Sequence, residues 1–137
     1  MAHEKFRAEV LTPEGKVFDD EVEMVSTKTA TGSIGVLAHH APVLAMLDPT
    51  ELRLYTSESE CVRFAQAEGY LQMINNRALL LVEEAKSPDD LDAGSLRDRL
   101  QQAERELEQA GDDSERRRVA ERDKRRLEQF LEIAEGS

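Results

Sequence analysis

The stretch Ala78-Leu79-Leu80-Leu81-Val82-Glu83-Glu84-Ala85-Lys86-Ser87-Pro88-Asp89-Asp90-Leu91 joins two different kinds of sequence. The apolar run Ala78–Val82 has the length of one strand, and Asn75-Asn76 before it reads as a hairpin turn. Ser87-Pro88-Asp89-Asp90 is instead a helix start, with Ser as N-cap, Pro at the first helical position and acids in the first turn. Past it, Leu96, Leu100, Ala103, Leu107 and Ala110 are spaced 4, 3, 4 and 3, which draws one apolar stripe along a helix. The chain therefore divides near Ser87 into a domain of strands, residues 1–87, and a domain of helices, residues 88–137.

Upstream of the junction the period is two. Phe6, Ala8 and Val10 alternate with Arg7 and Glu9, and Leu52 and Leu54 with Arg53 and Tyr55. Val62 and Phe64 alternate with Arg63 and Ala65 in the same way. Thr12-Pro13-Glu14-Gly15, Thr31-Gly32-Ser33 and Asp48-Pro49 are turn signals between runs, with further strands expected at Val22–Lys28, Ile34–Leu37, Val43–Leu47 and Tyr70–Ile74. Short strands at such spacing predict an antiparallel β-sandwich or barrel.

Downstream, Gly111-Asp112-Asp113-Ser114 stops the first helix and caps a second, on which Ala120, Leu127, Leu131 and Ala134 share a face beside Phe130. The expected fold is α+β: an N-terminal antiparallel β-sandwich followed by a C-terminal antiparallel two-helix hairpin. The apolar seam between the helices is narrow, so the hairpin requires a further surface to rest on.

The whole chain has 137 residues, enough for one domain with an appendage. Eighteen Lys and Arg stand against 29 Asp and Glu, a net charge of −11. That balance opposes non-specific nucleic-acid binding and docking on anionic lipid by charge alone. Aromatic residues make up 4% and Trp is absent, so the core has to be aliphatic. The single cysteine, Cys61, excludes an intramolecular disulfide and is read as a small sheet residue. There is no run of 18 apolar residues, and Met1-Ala2-His3-Glu4-Lys5 does not open a signal peptide. A soluble, acidic, cytoplasmic protein without direct membrane insertion is expected.

Three groups carry possible chemistry. His39-His40 are adjacent, so in a strand they face opposite ways and share no metal; a turn or interface role is read, and no metal site is assigned. Glu83, Glu84, Asp89, Asp90 and Asp92 form an acidic cluster, which is either a capped helix start or the carboxylate pair of a small acid–base enzyme. Arg118, Arg122 and Arg126 form a stripe on the second helix, within the basic run Arg116-Arg117-Arg118 to Arg126. Interleaved acids suit a solvated face, whereas a guanidinium stripe suits a phosphate or carboxylate clamp. Gly32 to Leu44 is an apolar loop in a charged chain, hence either core or a contact patch.

The order of these motifs resembles the epsilon subunit of bacterial rotary (F-type) ATP synthases over nearly the whole chain. Val10-Leu11-Thr12-Pro13-Glu14-Gly15-Lys16-Val17-Phe18 is similar to that family's opening strand and turn, and Ala67-Glu68-Gly69-Tyr70-Leu71-Gln72-Met73 to a later strand start. Gly32-Ser33-Ile34-Gly35-Val36-Leu37-Ala38-His39-His40-Ala41-Pro42-Val43-Leu44 resembles its central signature, with Ser33 where an acid is usual and Ala38-His39 where proline and glycine often stand.

The resemblance implies a non-catalytic central-stalk subunit of a proton-translocating synthase, peripheral on the cytoplasmic face of the cell membrane. By the same resemblance the sandwich binds the gamma subunit and the c ring, through Ser33, Ile34, Gly35, Val36, His40 and Pro42. The hairpin would regulate ATP hydrolysis by reaching transiently toward the catalytic alpha/beta head. The resemblance implies no obligatory cofactor, and a regulatory ATP would be held by Asp92, Arg97, Arg122 and Arg126. In Leu91-Asp92-Ala93-Gly94-Ser95-Leu96-Arg97 the arginine is displaced from its place in the family motif. A free-standing nucleotide sensor is the alternative that needs no rotor.

Overall fold

A computed structural model describes residues 3–136; Met1, Ala2 and Ser137, which belong to the two expected domains, lie outside the described residues. Ten strands come first: β1 (Phe6–Thr12), β2 (Gly15–Val22), β3 (Met24–Thr29), β4 (Gly32–Leu37), β5 (Val43–Leu47), β6 (Thr50–Tyr55), β7 (Cys61–Gln66), β8 (Gly69–Ile74), β9 (Arg77–Val82) and β10 (Ala85–Lys86). Two helices follow, α1 (Ala93–Ala110) and α2 (Ser114–Gly136).

The strands pair in the order β10-β7-β6-β3-β5-β8-β9-β1-β2, with β4 on β3. β3 is the hinge of this path: it pairs with β6 through Met24–Ser26 and with β5 only at Thr29↔Leu47. One core joins the two halves of the path, with Val25, Val36, Leu52 and Leu54 from one side and Phe6, Ala8, Val10, Leu71, Met73 and Leu80 from the other. That shared core makes the strand domain a sandwich.

The period-two readings hold at β1 and β6, whose Phe6, Ala8, Val10, Leu52 and Leu54 are all buried. Three local expectations need correction. The strand expected at Val22–Lys28 breaks at Glu23, where β2 ends and β3 begins, because the Glu23 amide donates to the Tyr55 carbonyl at 2.7 Å. The β1–β9 pair is parallel, Arg7 beside Arg77, among otherwise antiparallel pairings. Ser87 caps only a 3₁₀ turn, Pro88–Asp90; α1 begins later, where the Asp92 carboxylate accepts from the amides of Gly94 and Ser95 at 3.0 and 3.4 Å.

The helices lie antiparallel, and α2 rests on the outside of β6 and β7. Phe64 packs inward on the sandwich core, while Ala65 and Ala67 face outward into a second cluster with Leu96, Ala103, Leu127 and Phe130. Val62 lies in the exposed part of β7, so the expected alternation fails at that end. One buried polar link braces the sheet beneath: Thr27 Oγ1 donates to Gln66 Oε1 at 2.5 Å, and Gln66 Nε2 donates to the Asp48 and Ala67 carbonyls. Every polar atom of that amide is thereby used, so it fixes register without an unmet bond.

Gly69 has the least room for a side chain of the described glycines. A Cβ there would overlap the Leu81 carbonyl oxygen and stand 2.7 Å from the Val82 Cα. Backbone atoms of a paired strand cannot yield as a side-chain tip does. Gly69→Ala is expected to lose about 3 kcal/mol of stability, read from the midpoint of a urea unfolding curve. A loss below about 0.5 kcal/mol would show that the β8–β9 pair adjusts freely.

Candidate functional site

The outer face of β5, β8, β9 and β1 is apolar and uncovered. Residues directly opposite one another in paired strands share a face, and the register sets Met46 beside Tyr70, Tyr70 beside Leu81, and Leu81 beside Leu11. Leu44, Gln72 and Leu79 form the adjoining row. Leu44 is 71% and Met46 69% exposed, with Tyr70, Ile74 and Leu81 about half exposed. Such a row, across four strands of a chain this charged, marks a surface built to be covered.

The apolar rows end in an ion-pair net on β1 and β2. Arg77 meets Glu9 at 3.1 Å, and Lys16 meets Glu9 at 3.2 Å and Asp19 at 2.9 Å. Arg7 closes the net on Asp19, so Lys16 and then Arg7 hold the Asp19 carboxyl below its ordinary range. This is the polar rim expected around a docking face.

The residues expected to bind a partner run along β4 and the β4–β5 connection, with Ser33 and Ile34 beside Met46. Ser33 and Gly35 are exposed on β4, His40 and Pro42 are exposed on the β4–β5 connection, and Ile34 is half-buried. Val36 is buried in the core and offers no surface, so it shapes β4 from beneath. His39 takes a positive φ of 63° in the turn; its amide donates to Asn76 Oδ1 at 2.7 Å and its ring meets Glu4 at 3.0 Å. His40 Nδ1 lies 2.7 Å from its neighbour Ala41's carbonyl. The two imidazoles are therefore engaged separately, in a turn.

Tyr70, Ile74, Leu79 and Leu81 escaped the sequence reading as surface residues. A signal was present: Ala78–Val82 is apolar at every position, so both faces of that strand need cover, and the sandwich supplies it on one side only.

The other surface is the hairpin. A cleft of about 460 Å³ opens between α1 and α2, lined by Arg99, Ala103, Glu115, Val119, Asp123 and Arg126 among others. Of the four residues considered for ATP, only Arg126 reaches this cleft. Asp92 is the α1 N-cap and borders a separate cavity of about 110 Å³. Arg97 reaches across to Glu135 at 3.1 Å, and Arg122 pairs with Asp123, also at 3.1 Å.

The basic run is spread over separate pairs. Arg116, Arg117 and Arg118 pair with Glu106, Glu121 and Glu115 on the exposed hairpin. Of the acidic cluster, Glu84, Asp90 and Asp92 line the small cavity together with Lys86, which meets Glu84 at 3.1 Å, while Asp89 lies in the first turn of the 3₁₀ segment. On β6 and β7, Arg63 and then Arg53 hold the Glu51 carboxyl below its usual range, at 2.5 and 2.7 Å. Cys61 is half-buried, and that burial pushes its thiol up. No described helix is long and apolar enough to cross a membrane.

An apolar docking face, a charged rim and a hairpin resting on a small patch are the build of a subunit made to join a larger assembly. Residues 5–88 match the beta-sandwich domain of the ATP synthase delta/epsilon chain. The ATP synthase epsilon chain of Rubrobacter xylanophilus is 35% identical over 120 residues, 86% of this chain and 82% of that one. The epsilon chain of Persephonella marina is 36% identical over 127 residues, 92% and 93% of the two chains. The fold is shared with a chain of the Euglena gracilis mitochondrial ATP synthase, solved as OSCP, F1 and c-ring, with a TM-score of 0.73 at 19% identity over 92% of this chain and 77% of that one. A chain from the central stalk and c-ring of the Tetrahymena thermophila enzyme gives 0.63 at 15% identity over 96% and 98%. The protein belongs to the ATP synthase epsilon chain family.

The sandwich core contains no helix residue, and the cluster under the hairpin borrows only Ala65 and Ala67 from the strand side. Residues 1–87 alone are thus expected to unfold cooperatively on heating, with near-native strand content by circular dichroism. A molten fragment without a heat-capacity peak would show that the helices complete the core.

Proposed function

We propose that this chain is the non-catalytic epsilon subunit of the central stalk of a rotary, proton-translocating ATP synthase, coupling rotor rotation to ATP synthesis. It docks by its sandwich on the gamma subunit and the c ring, and lies peripherally at the cytoplasmic face of the cell membrane. The observation that carries this is the apolar row Met46-Tyr70-Leu81-Leu11 with Leu44 beside it, in a family whose members are ATP synthase epsilon chains. A joint that turns with a rotor has to be permanent, and burying apolar area, at about 25 cal/mol per Å², is how a highly charged chain makes one. Exposed ion pairs, each contributing about 0–1 kcal/mol, suit contacts that exchange.

The hairpin is the exchangeable part. Its buried apolar contact on the strand side is two alanines, and it presents Arg116, Arg117, Arg118 and Arg122 outward. Released from the sandwich, it extends toward carboxylates of the catalytic alpha/beta head and restrains ATP hydrolysis. A regulatory nucleotide has a candidate place in the cleft bordered by Arg126, although in this conformation Arg126 is engaged by Glu68 and Glu84, and Asp92, Arg97 and Arg122 are engaged elsewhere.

Two variants test the two halves of this reading. Leu44→Asp with Tyr70→Asp alters exposed positions only, so the isolated chain should keep its stability within about 0.5 kcal/mol. Its co-purification with the gamma subunit and c ring should fall at least tenfold, and full retention overturns the docking face. Removal of residues 88–137 should leave assembly intact and raise ATP hydrolysis by the complex. Equal hydrolysis with and without the hairpin, at low and high salt, overturns the regulatory part.

A further inference from the structure

Three ion pairs among the described residues tie α2 to the sandwich, and they come from two adjacent arginines. Arg125 meets Asp48 at 2.9 Å in the open, with its side chain 61% exposed. Arg126 donates to Glu68 and stands 3.8 Å from Glu84, with its side chain only 18% exposed. Every other arginine in a described ion pair is at least 41% exposed, so Arg126 alone takes its charge largely out of water.

The acceptors are fixed before the arginine arrives. Glu68 lies between β7 and β8, and Glu84 between β9 and β10. The Glu83 amide donates to the Glu68 carbonyl at 3.0 Å, and the Ala67 amide donates to the Glu84 carbonyl at 2.9 Å. Gly69, next in sequence, clamps the same crossing against β9. Two carboxylates are thereby held side by side on a rigid edge, with Lys86 near Glu84 as the cation supplied by the sandwich itself.

The fit is incomplete on the arginine side. Arg126 Nε is buried and has no hydrogen-bond partner. Docking therefore withholds from this guanidinium one bond that water supplies when α2 lifts away. Loss of Arg126 in turn leaves Glu68 and Glu84 as adjacent like charges. A contact with a charge-specific gain on closing and an unmet bond while closed is suited to repeated opening.

We propose that Arg126, clasped by Glu68 and Glu84, is the catch that sets the fraction of hairpins docked on the sandwich. Leu127 and Phe130 give the contact its position, and Arg126 gives it its adjustable strength. This rests on the reading of the hairpin as a mobile element.

The test uses the full chain with spin labels at Glu60→Cys and Gln101→Cys in a Cys61→Ser background, both label sites being exposed. Double electron–electron resonance reads the docked and released populations. Glu68→Gln with Glu84→Gln is expected to raise the ratio of released to docked chains at least tenfold at low salt. Arg126→Met should match it, and Glu68→Arg with Arg126→Glu should return most of the docked population. Added salt should release the parent chain and leave the Glu68→Gln, Glu84→Gln chain little changed.

Phe130→Ala separates the two ways of failing. If Phe130→Ala releases the hairpin and the charge variants do not, the catch is wrong and the mobile hairpin stands. If no variant releases it at any salt, the mobile hairpin is wrong as well.

Discussion

Two small side chains, Ala65 and Ala67, decide how near the helices come to the sheet. β7 is covered on both sides, with Phe64 turned into the sandwich and Ala65 turned out beneath α2. Side chains of one carbon let a helix lie close to a strand, yet they give it little area to bury. The resulting cluster has six buried residues against fourteen in the sandwich core. That inequality makes the strand domain the rigid body and the hairpin its lightly held companion, whatever the charges around them do.

Charge then distributes the tasks. Most ion pairs of the hairpin are internal and solvated, as in Arg118 with Glu115 and Arg97 with Glu135, so they keep the two helices soluble as a unit whether docked or free. Among the described ion pairs, only those of Arg125 and Arg126 reach across to the sandwich. On the opposite flank, the net around Asp19 and Glu9 borders an apolar surface instead of crossing it. One side of the strand domain is left apolar and bare, and the other carries the helices and the ion pairs that hold them.

What the sequence disclosed follows the range of the forces involved. Alternation in β1 and β6, the apolar stripe of α1 and the stop at Gly111 are local, and each was readable. The start of α1 was misplaced because Ser87-Pro88 is a true cap signal that serves a 3₁₀ turn, while Asp92 five residues on caps the helix itself. The parallel neighbour of β1 and the approach of Arg126 to Glu68 depend on residues far apart in the chain, and no local period encodes them. Val36 was placed on the partner surface by the family resemblance, although its strand position turns it into the core. The outer apolar face was written in Ala78–Val82 but needed the sheet order to show which side stays bare.

The parallel pair also bears on how the chain comes together. β1 lies between β2, its hairpin partner, and β9, so Arg7 finds Arg77 only after a loop of about seventy residues has closed. The first strand made is among the last to be fully flanked, and closing that long loop places the slow, non-local step of folding inside the sandwich. During synthesis the N-terminal hairpin β1–β2 has to wait with one edge open until residue 82 emerges. Its acidic run Asp19-Asp20-Glu21 keeps the opposite edge from pairing with other chains in that interval. The helices, built from local contacts, then fold onto a surface that is already finished.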